Sequence, residues 1–314
     1  MIAPYLLRPI VVLGLLALAV GPASTLVNLR RAEFSAETMV HGVFPGIVVG
    51  MAVGGRDAII PGGALCAACV AAALTAASRR TKSSEATTAV ILTAFFSLGI
   101  VISLRIGDMS GQLESLMFGR LLDITPSRMW VSAAVLIVAA LILVATWRAQ
   151  VALAFDREAA RVAGIPTLAI DIVFNAAIGA IVVAASTAVG VLLVVGYLIV
   201  PGACGRLLAP GTRSMAVIAA LSALVGGWAG FGVALLRTPR PVSPQASVAL
   251  GVLACFALAC AVRQLREART GRDEASAGSQ APLTARETGE QAVNARETGC
   301  ETRASGLTTV EEAS

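Results

Sequence analysis

The 314-residue chain contains a single histidine, His41, and a single lysine, Lys82. One histidine cannot supply the HExxH pair of a zinc protease, which excludes an intramembrane metalloprotease of that type. Lys82 follows Thr81 and no glycine-rich run, so a GxxxxGK[ST] phosphate loop is absent and ATP cannot be held that way. The chain is therefore not expected to be an enzyme; if transport here consumes ATP, another polypeptide hydrolyses it. Aromatic residues are scarce at 4% of the chain, and charged residues reach only 14%, against roughly 25% in soluble domains. That deficit excludes a soluble enzyme, a disordered regulator and a nucleic-acid-binding module. Disulfides are not expected either: five of the six cysteines (66, 69, 204, 255, 260, but not 300) lie in apolar runs, where a thiol behaves as a small apolar side chain.

What the chain has in abundance is aliphatic. Hydrophobic residues make up 57% and mean hydropathy is +0.82. A bilayer core is crossed by roughly 20 apolar helical residues. Runs of that kind lie near 9–28, 38–54, 59–77, 87–104, 129–147, 167–187, 189–208, 214–236 and 246–262. The expected fold is all-α, a polytopic membrane helical bundle of about nine spans, eight to ten at the limits. The first run, from Pro9 to Asn28, reads as a mature span and not a cleaved leader, because only Arg8 precedes it and similar runs follow. The second is interrupted by Pro45-Gly46, and the sixth and seventh merge around Ala188–Gly190.

Domain organisation follows from a change of composition. Residues 1–262 form the transmembrane domain. Residues 263–314 are rich in Arg, Glu, Ala, Ser and Thr, with Ala-Arg-Glu-Thr-Gly at 285–289 and again at 295–299. Such a segment buries too little apolar surface to offset its ordering entropy and is expected to be a disordered tail. Lys and Arg are more frequent in loops after odd-numbered spans (Arg30, Arg31, Arg79, Arg80, Lys82, Arg148, Arg157, Arg161, Arg206, Arg213) than after even-numbered ones. The positive-inside rule then places the N-terminus outside and the tail in the cytoplasm. The net charge of +5 records orientation more than affinity for an acidic partner.

Charged residues in or beside a span are costly and mark candidate sites. Glu37 and His41 are four residues apart, so a helix presents both on one face. A carboxylate and an imidazole suit borderline divalent ions such as Zn²⁺ or Mn²⁺; the plainer alternative is a helix cap and an interhelical hydrogen bond. Cys66-Ala-Ala-Cys69 resembles half a zinc site, but its alanine-rich span favours helix packing. The stretch Gly107–Pro126, with Asp108, Glu114 and Asp123, is too polar to span and suits an external half-helix or a plain loop. In the loop 148–166, Asp156 can cap a short helix that Gly164 ends before Pro166.

At this loop a family becomes visible. Phe155-Asp-Arg-Glu-Ala-Ala-Arg-Val-Ala-Gly-Ile-Pro166 resembles the FDPexArxxGlP segment of permease subunits of the zinc/manganese/iron ABC importers. Ala188-Val-Gly-Val-Leu-Leu-Val-Val-Gly-Tyr-Leu-Ile-Val-Pro-Gly-Ala-Cys-Gly-Arg-Leu-Leu208 is similar to that family's AVGvLLvvallviPaatArLL stretch. Leu29-Arg-Arg with Glu37 and His41-Gly-Val-Phe-Pro-Gly46 resembles LRRmsllgDalsHavlPG, and Leu116-Met-Phe-Gly119 resembles its LFG turn. The four matches fall in family order over residues 20–262.

The resemblance implies a multi-pass permease of the cytoplasmic membrane that dimerises, receives a divalent metal from an extracytoplasmic binding protein and works with a cytoplasmic ATP-binding subunit. It implies metal-pathway roles for Glu37 and His41. Phe155, Asp156, Ala160 and Gly164 would form the helix that couples to the ATPase, with ATP held there and no cofactor bound by this chain. The chain departs from the pattern at Arg157 (usually Pro), Glu37 (usually Asp), and Gly202 and Cys204 (usually Ala and Thr); an acidic residue before the fourth span appears only as Glu85. These departures leave the metal open, and the single histidine argues against a multi-histidine zinc path. The expected function is divalent-metal import by alternating access. A siderophore- or cobalamin-type permease, which needs a wide aromatic-lined path, and an ATP-independent cation channel are the alternatives.

Overall fold

The computed structural model describes residues 4–80, 85–106, 119, 121, 125–236 and 243–279. Among the described residues there are twelve α-helices and no strand. They are α1 (Pro4–Leu29), α2 (Glu33–Gly42), α3 (Phe44–Gly54), α4 (Ile59–Arg80), α5 (Glu85–Ile106), α6 (Pro126–Ala145), α7 (Trp147–Phe155), α8 (Arg157–Val162), α9 (Thr167–Val189), α10 (Val191–Leu208), α11 (Thr212–Ala234) and α12 (Pro244–Ser279). Nine stretches among the described residues are long and apolar enough to cross a bilayer, with α2 and α3 together forming the second. In lipid every backbone N–H and C=O must find a partner within the protein, and a helix satisfies its own.

α1 is the axis of the bundle: 72% of its span is buried, against 11% for α5 at the periphery. It packs against α6, α10 and α11, while α2 and α3 lie against α4 and α5. Leu13, Leu16, Val20, Leu26 and Tyr197 sit at the centre of the resulting core.

The interruption of the second span lies at Val43, upstream of the expected Pro45-Gly46. Pro45 falls in the first turn of α3, where its missing N–H has no intrahelical bond to lose. Backbone bonds from Val43 N to Met39 O and from Ile47 N to Val43 O (both 3.2 Å) carry hydrogen bonding across the junction. The span is therefore bent and not severed. Between the sixth and seventh spans, Gly190 at φ 85 ends α9 and admits α10 directly, which resolves the apolar run across that boundary.

Residues Met1–Ala261 form one compact unit and Val262–Ser314 a second. In the second, the chain stays helical through Ser279, where the composition suggested disorder from 263 onward. The reason is local: this stretch is rich in helix-forming Arg, Gln, Leu, Glu and Ala. Arg263 Nε also pairs with Glu267 Oε1 at 2.8 Å, one turn on. The repeated pentapeptide in 280–314 and the acidic residues Asp108, Glu114 and Asp123 lie outside the described residues.

Candidate functional site

Glu37 and His41 are both on α2, one turn apart, and both are half-buried. The His41 ring meets Phe96 of α5 edge-on, with centroids 5.6 Å apart, and Phe96 also contacts Phe44. Thr38, on the same helix, sends its hydroxyl back to Phe34 O at 2.9 Å. No hydrogen bond or ion pair to Glu37 occurs among the described residues, so the plainer reading of Glu37 as a helix cap finds no support there. Cys66 of α4 donates its thiol to Gly42 O at 3.1 Å, beside the α2–α3 bend, and Cys69 is exposed. No group of three or more His, Cys, Asp and Glu side chains converges among the described residues. The structure thus brings Glu37 and His41 to one helix face without a third converging ligand among the described residues.

The 148–166 loop folds as two short helices around Asp156. Asp156 has extended backbone (φ −148, ψ 112), and its Oδ1 accepts from the N–H groups of Glu158 and Ala159 at 2.9 Å each. That is a side-chain N-cap for α8. At the other end Gly164, at φ 79, permits the paired closure in which Ile165 N donates to Ala160 O and Gly164 N to Arg161 O, both at 3.0 Å. Ala160 turns inward and packs with Leu153 of α7 and Ile170 of α9. Phe155 is left 73% exposed beside the cap.

A cluster that sequence reasoning did not find anchors these helices to the bundle. Asp171, in the first turns of α9, is buried and accepts from two arginines. Arg30 Nη1 reaches its Oδ1 at 3.0 Å, and Arg157 donates to Oδ2. Arg30 also donates to Gln150 Oε1 of α7 and lies 4.4 Å over the Phe174 ring, a cation–π contact. Burial lowers the Arg30 guanidinium to about 10, an effect that Asp171 opposes, and it remains a cation at neutral pH. Three segments, the end of α1, α8 and α9, therefore meet at one buried carboxylate, and α7 joins them through Gln150, which accepts from Arg30. Arg30 and Asp171 are 141 positions apart, and no local pattern connects them.

Residues 3–263 match the sequence profile of the ABC 3 transport family. The chain belongs to the ABC 3 transport family. It is similar to the manganese transport system membrane protein MntC of Halalkalibacterium halodurans, 27% identical over 258 residues that cover 81% of this chain and 86% of that one. The chelated iron transport system membrane protein YfeC of Yersinia pestis is 26% identical over 230 residues, covering 72% and 77%. Among solved structures, PsaBC from Streptococcus pneumoniae in complex with Fab aligns with a TM-score of 0.72 at 19% identity, over 82% of this chain and 91% of that one. The fold is shared.

Within this ABC 3 family chain, two departures from the motifs have visible surroundings. Arg157, where proline is usual, supplies the second cation at Asp171. Gly202 lies on α10 beside Pro201, where α10 crosses α1. Its N–H donates to Ser24 Oγ at 2.6 Å, and Asn28 Nδ2 donates to Ile199 O at 3.1 Å. Both bonds tie α10 to α1. A Cβ at Gly202 would run into Ser24 O and the Asn28 amide. Cys204 is simply buried.

Proposed function

We propose that this chain is the permease subunit of an importer that carries manganese or iron(II) across the cytoplasmic membrane, with Glu37 and His41 as the ligands the ion meets in transit. The observation that carries the reading is Glu37. It is a half-buried carboxylate within a span, one turn from the only histidine, and has no protein partner among the described residues. Such a group is costly in a membrane and marks an ion path. The relatives in manganese and chelated iron transport, and a probable iron transport system membrane protein of Haemophilus influenzae, support a borderline divalent ion, which carboxylate and imidazole suit.

Two ligands per chain do not make a tight cage. Two copies of the chain in a homodimer would offer two such pairs on a common path, enough to strip water from the ion and weak enough to release it. ATP is hydrolysed on a separate cytoplasmic subunit, and metal arrives from an extracytoplasmic binding protein. Phe155, Asp156, Ala160 and Gly164 form and present the helix that meets the ATPase. Movement of α8 passes through Arg157 to Asp171 and Arg30, and α2 begins at Glu33, three residues beyond Arg30. The C-terminal tail is cytoplasmic.

The test is uptake of radiolabelled Mn²⁺, Fe²⁺ and Zn²⁺ in metal-limited cells expressing the whole transporter. Glu37→Ala and His41→Ala are expected to abolish uptake of the cognate ion while the ATP-binding subunit still co-purifies. Wild-type rates in both variants would overturn the proposal.

A further inference from the structure

A groove of about 540 Å³ opens on the outer flank of the bundle between α6 and α11, with α1 as its floor. Its body is apolar, lined by Leu18 of α1, Val144 of α6 and Val217 and Ala220 of α11. α1 and α11 close the floor because Gly21 lets them touch: a Cβ there would stand 2.7 Å from the Ala220 methyl. One end is different. Trp147 and Arg148, at the start of α7, face Arg213, at the start of α11. Both arginines are exposed, and neither has a hydrogen bond or ion pair among the described residues.

The physical setting narrows the occupant. The flanking helices are membrane spans, so the apolar body faces acyl chains. From Arg213 to Ala220 the helix rises about 10 Å at roughly 1.5 Å per residue, so the groove reaches past the polar interface into hydrocarbon. Tryptophan favours that interface. Two guanidinium groups at the same depth present planar forks of donors that match a phosphate, and basic pockets between membrane helices hold anionic headgroups. A peptide partner would have to supply an acidic group and a long apolar segment at fixed spacing. A phospholipid carries both in one molecule.

We propose that this groove is a binding site for an anionic phospholipid, such as phosphatidylglycerol or cardiolipin, with the phosphate between Arg148 and Arg213 and an acyl chain along α1. The two cations select a net negative headgroup, because a choline or ethanolamine ammonium would cancel the phosphate charge they are placed to meet. The bound lipid braces the junction of α6 and α7, on the side of the bundle that carries α8. The site is independent of the ion path through α2.

The full-length chain is purified in mild detergent and its retained lipids are measured by native mass spectrometry and by extraction. Binding is then measured in nanodiscs of phosphatidylcholine with and without phosphatidylglycerol or cardiolipin. Wild-type protein should retain the anionic lipids selectively. With about a fivefold contribution per interfacial cation, the Arg148→Gln/Arg213→Gln variant should bind them about 25-fold more weakly. Val217→Trp, which sets an indole across an exposed lip of the groove, should reduce retention with both arginines in place. These substitutions alter exposed side chains, so monodisperse elution controls for folding. Unchanged retention in the double variant, equal retention of phosphatidylcholine, or displacement of the lipid by glycerol phosphate lacking acyl chains would each overturn the proposal.

Discussion

Arg157 and Asp171 form an ion pair that joins the first turn of α8 to the first turns of α9. The same carboxylate holds Arg30 from the end of α1. One buried anion therefore ties an exposed surface helix to the central helix of the bundle, and its two cations differ in burial. The Arg30 side chain is 10% exposed and that of Arg157 is 43% exposed.

That asymmetry sets the first prediction. Asp171→Ala strands Arg30 in a buried site and should cost about 3–5 kcal/mol, as removal of one partner from a buried pair does. Arg157→Gln leaves the Arg30–Asp171 pair intact and should cost about 1 kcal/mol or less, as for solvent-exposed pairs. Thermal unfolding of the purified protein in detergent ranks the two. Equal losses would mean that the carboxylate is not the shared anchor.

The cap at Asp156 gives a second, more local expectation. Asp156→Ala should weaken α8 by about 1 kcal/mol, and Asp156→Asn, which keeps an accepting oxygen, should lose much less. Amide hydrogen exchange over 157–162 reads this directly. Exchange should rise in the alanine variant while α9 stays protected.

Gly202 supplies a third. An alanine methyl there meets backbone and side-chain atoms of α1 that cannot move independently, so Gly202→Ala should destabilise the protein by about 1–3 kcal/mol. Ser24→Ala removes the acceptor for the buried Gly202 N–H and should cost a similar amount, about 1–3 kcal/mol, by leaving that donor unsatisfied. Since both changes break the same contact, the double variant should fall short of the sum.

At the proposed ion path, charge should matter more than length. Glu37→Asp keeps the carboxylate and should retain uptake. Glu37→Gln keeps the shape, loses the charge, and should lower uptake by at least about tenfold, the lower end of what even an outer-sphere contact contributes at a metal site. Initial rates across metal concentrations separate the two. A glutamine variant with native rates would remove Glu37 from the path.

Much of the local architecture was legible in order along the chain. Apolar run lengths marked the spans, and the Asp156–Gly164 frame marked a short capped helix, because both depend on contacts within a few residues. The bend of the second span was misplaced by two positions for the same kind of reason. Proline suggested a break at itself, but it was tolerated in the first turn of α3 and the break moved to Val43. Glu37 and His41 were legible as a pair because their spacing is helical. What surrounds them, the Phe96 edge and the absence of a third converging ligand among the described residues, was not.

Arg157 shows the limit most clearly. In the sequence it was only a substitution in a familiar motif, and in the structure it is a ligand of Asp171. The chain alone determined membrane residence, the number of spans and the short-range caps, since hydropathy and helix termini are properties of neighbouring residues. Tertiary structure decided which charges meet. Arg30, Arg157, Gln150 and Asp171 come from four segments, and Arg148 and Arg213 flank one groove from two others. Packing brings such groups together across long stretches of chain, and no periodicity within one segment encodes a partner in another.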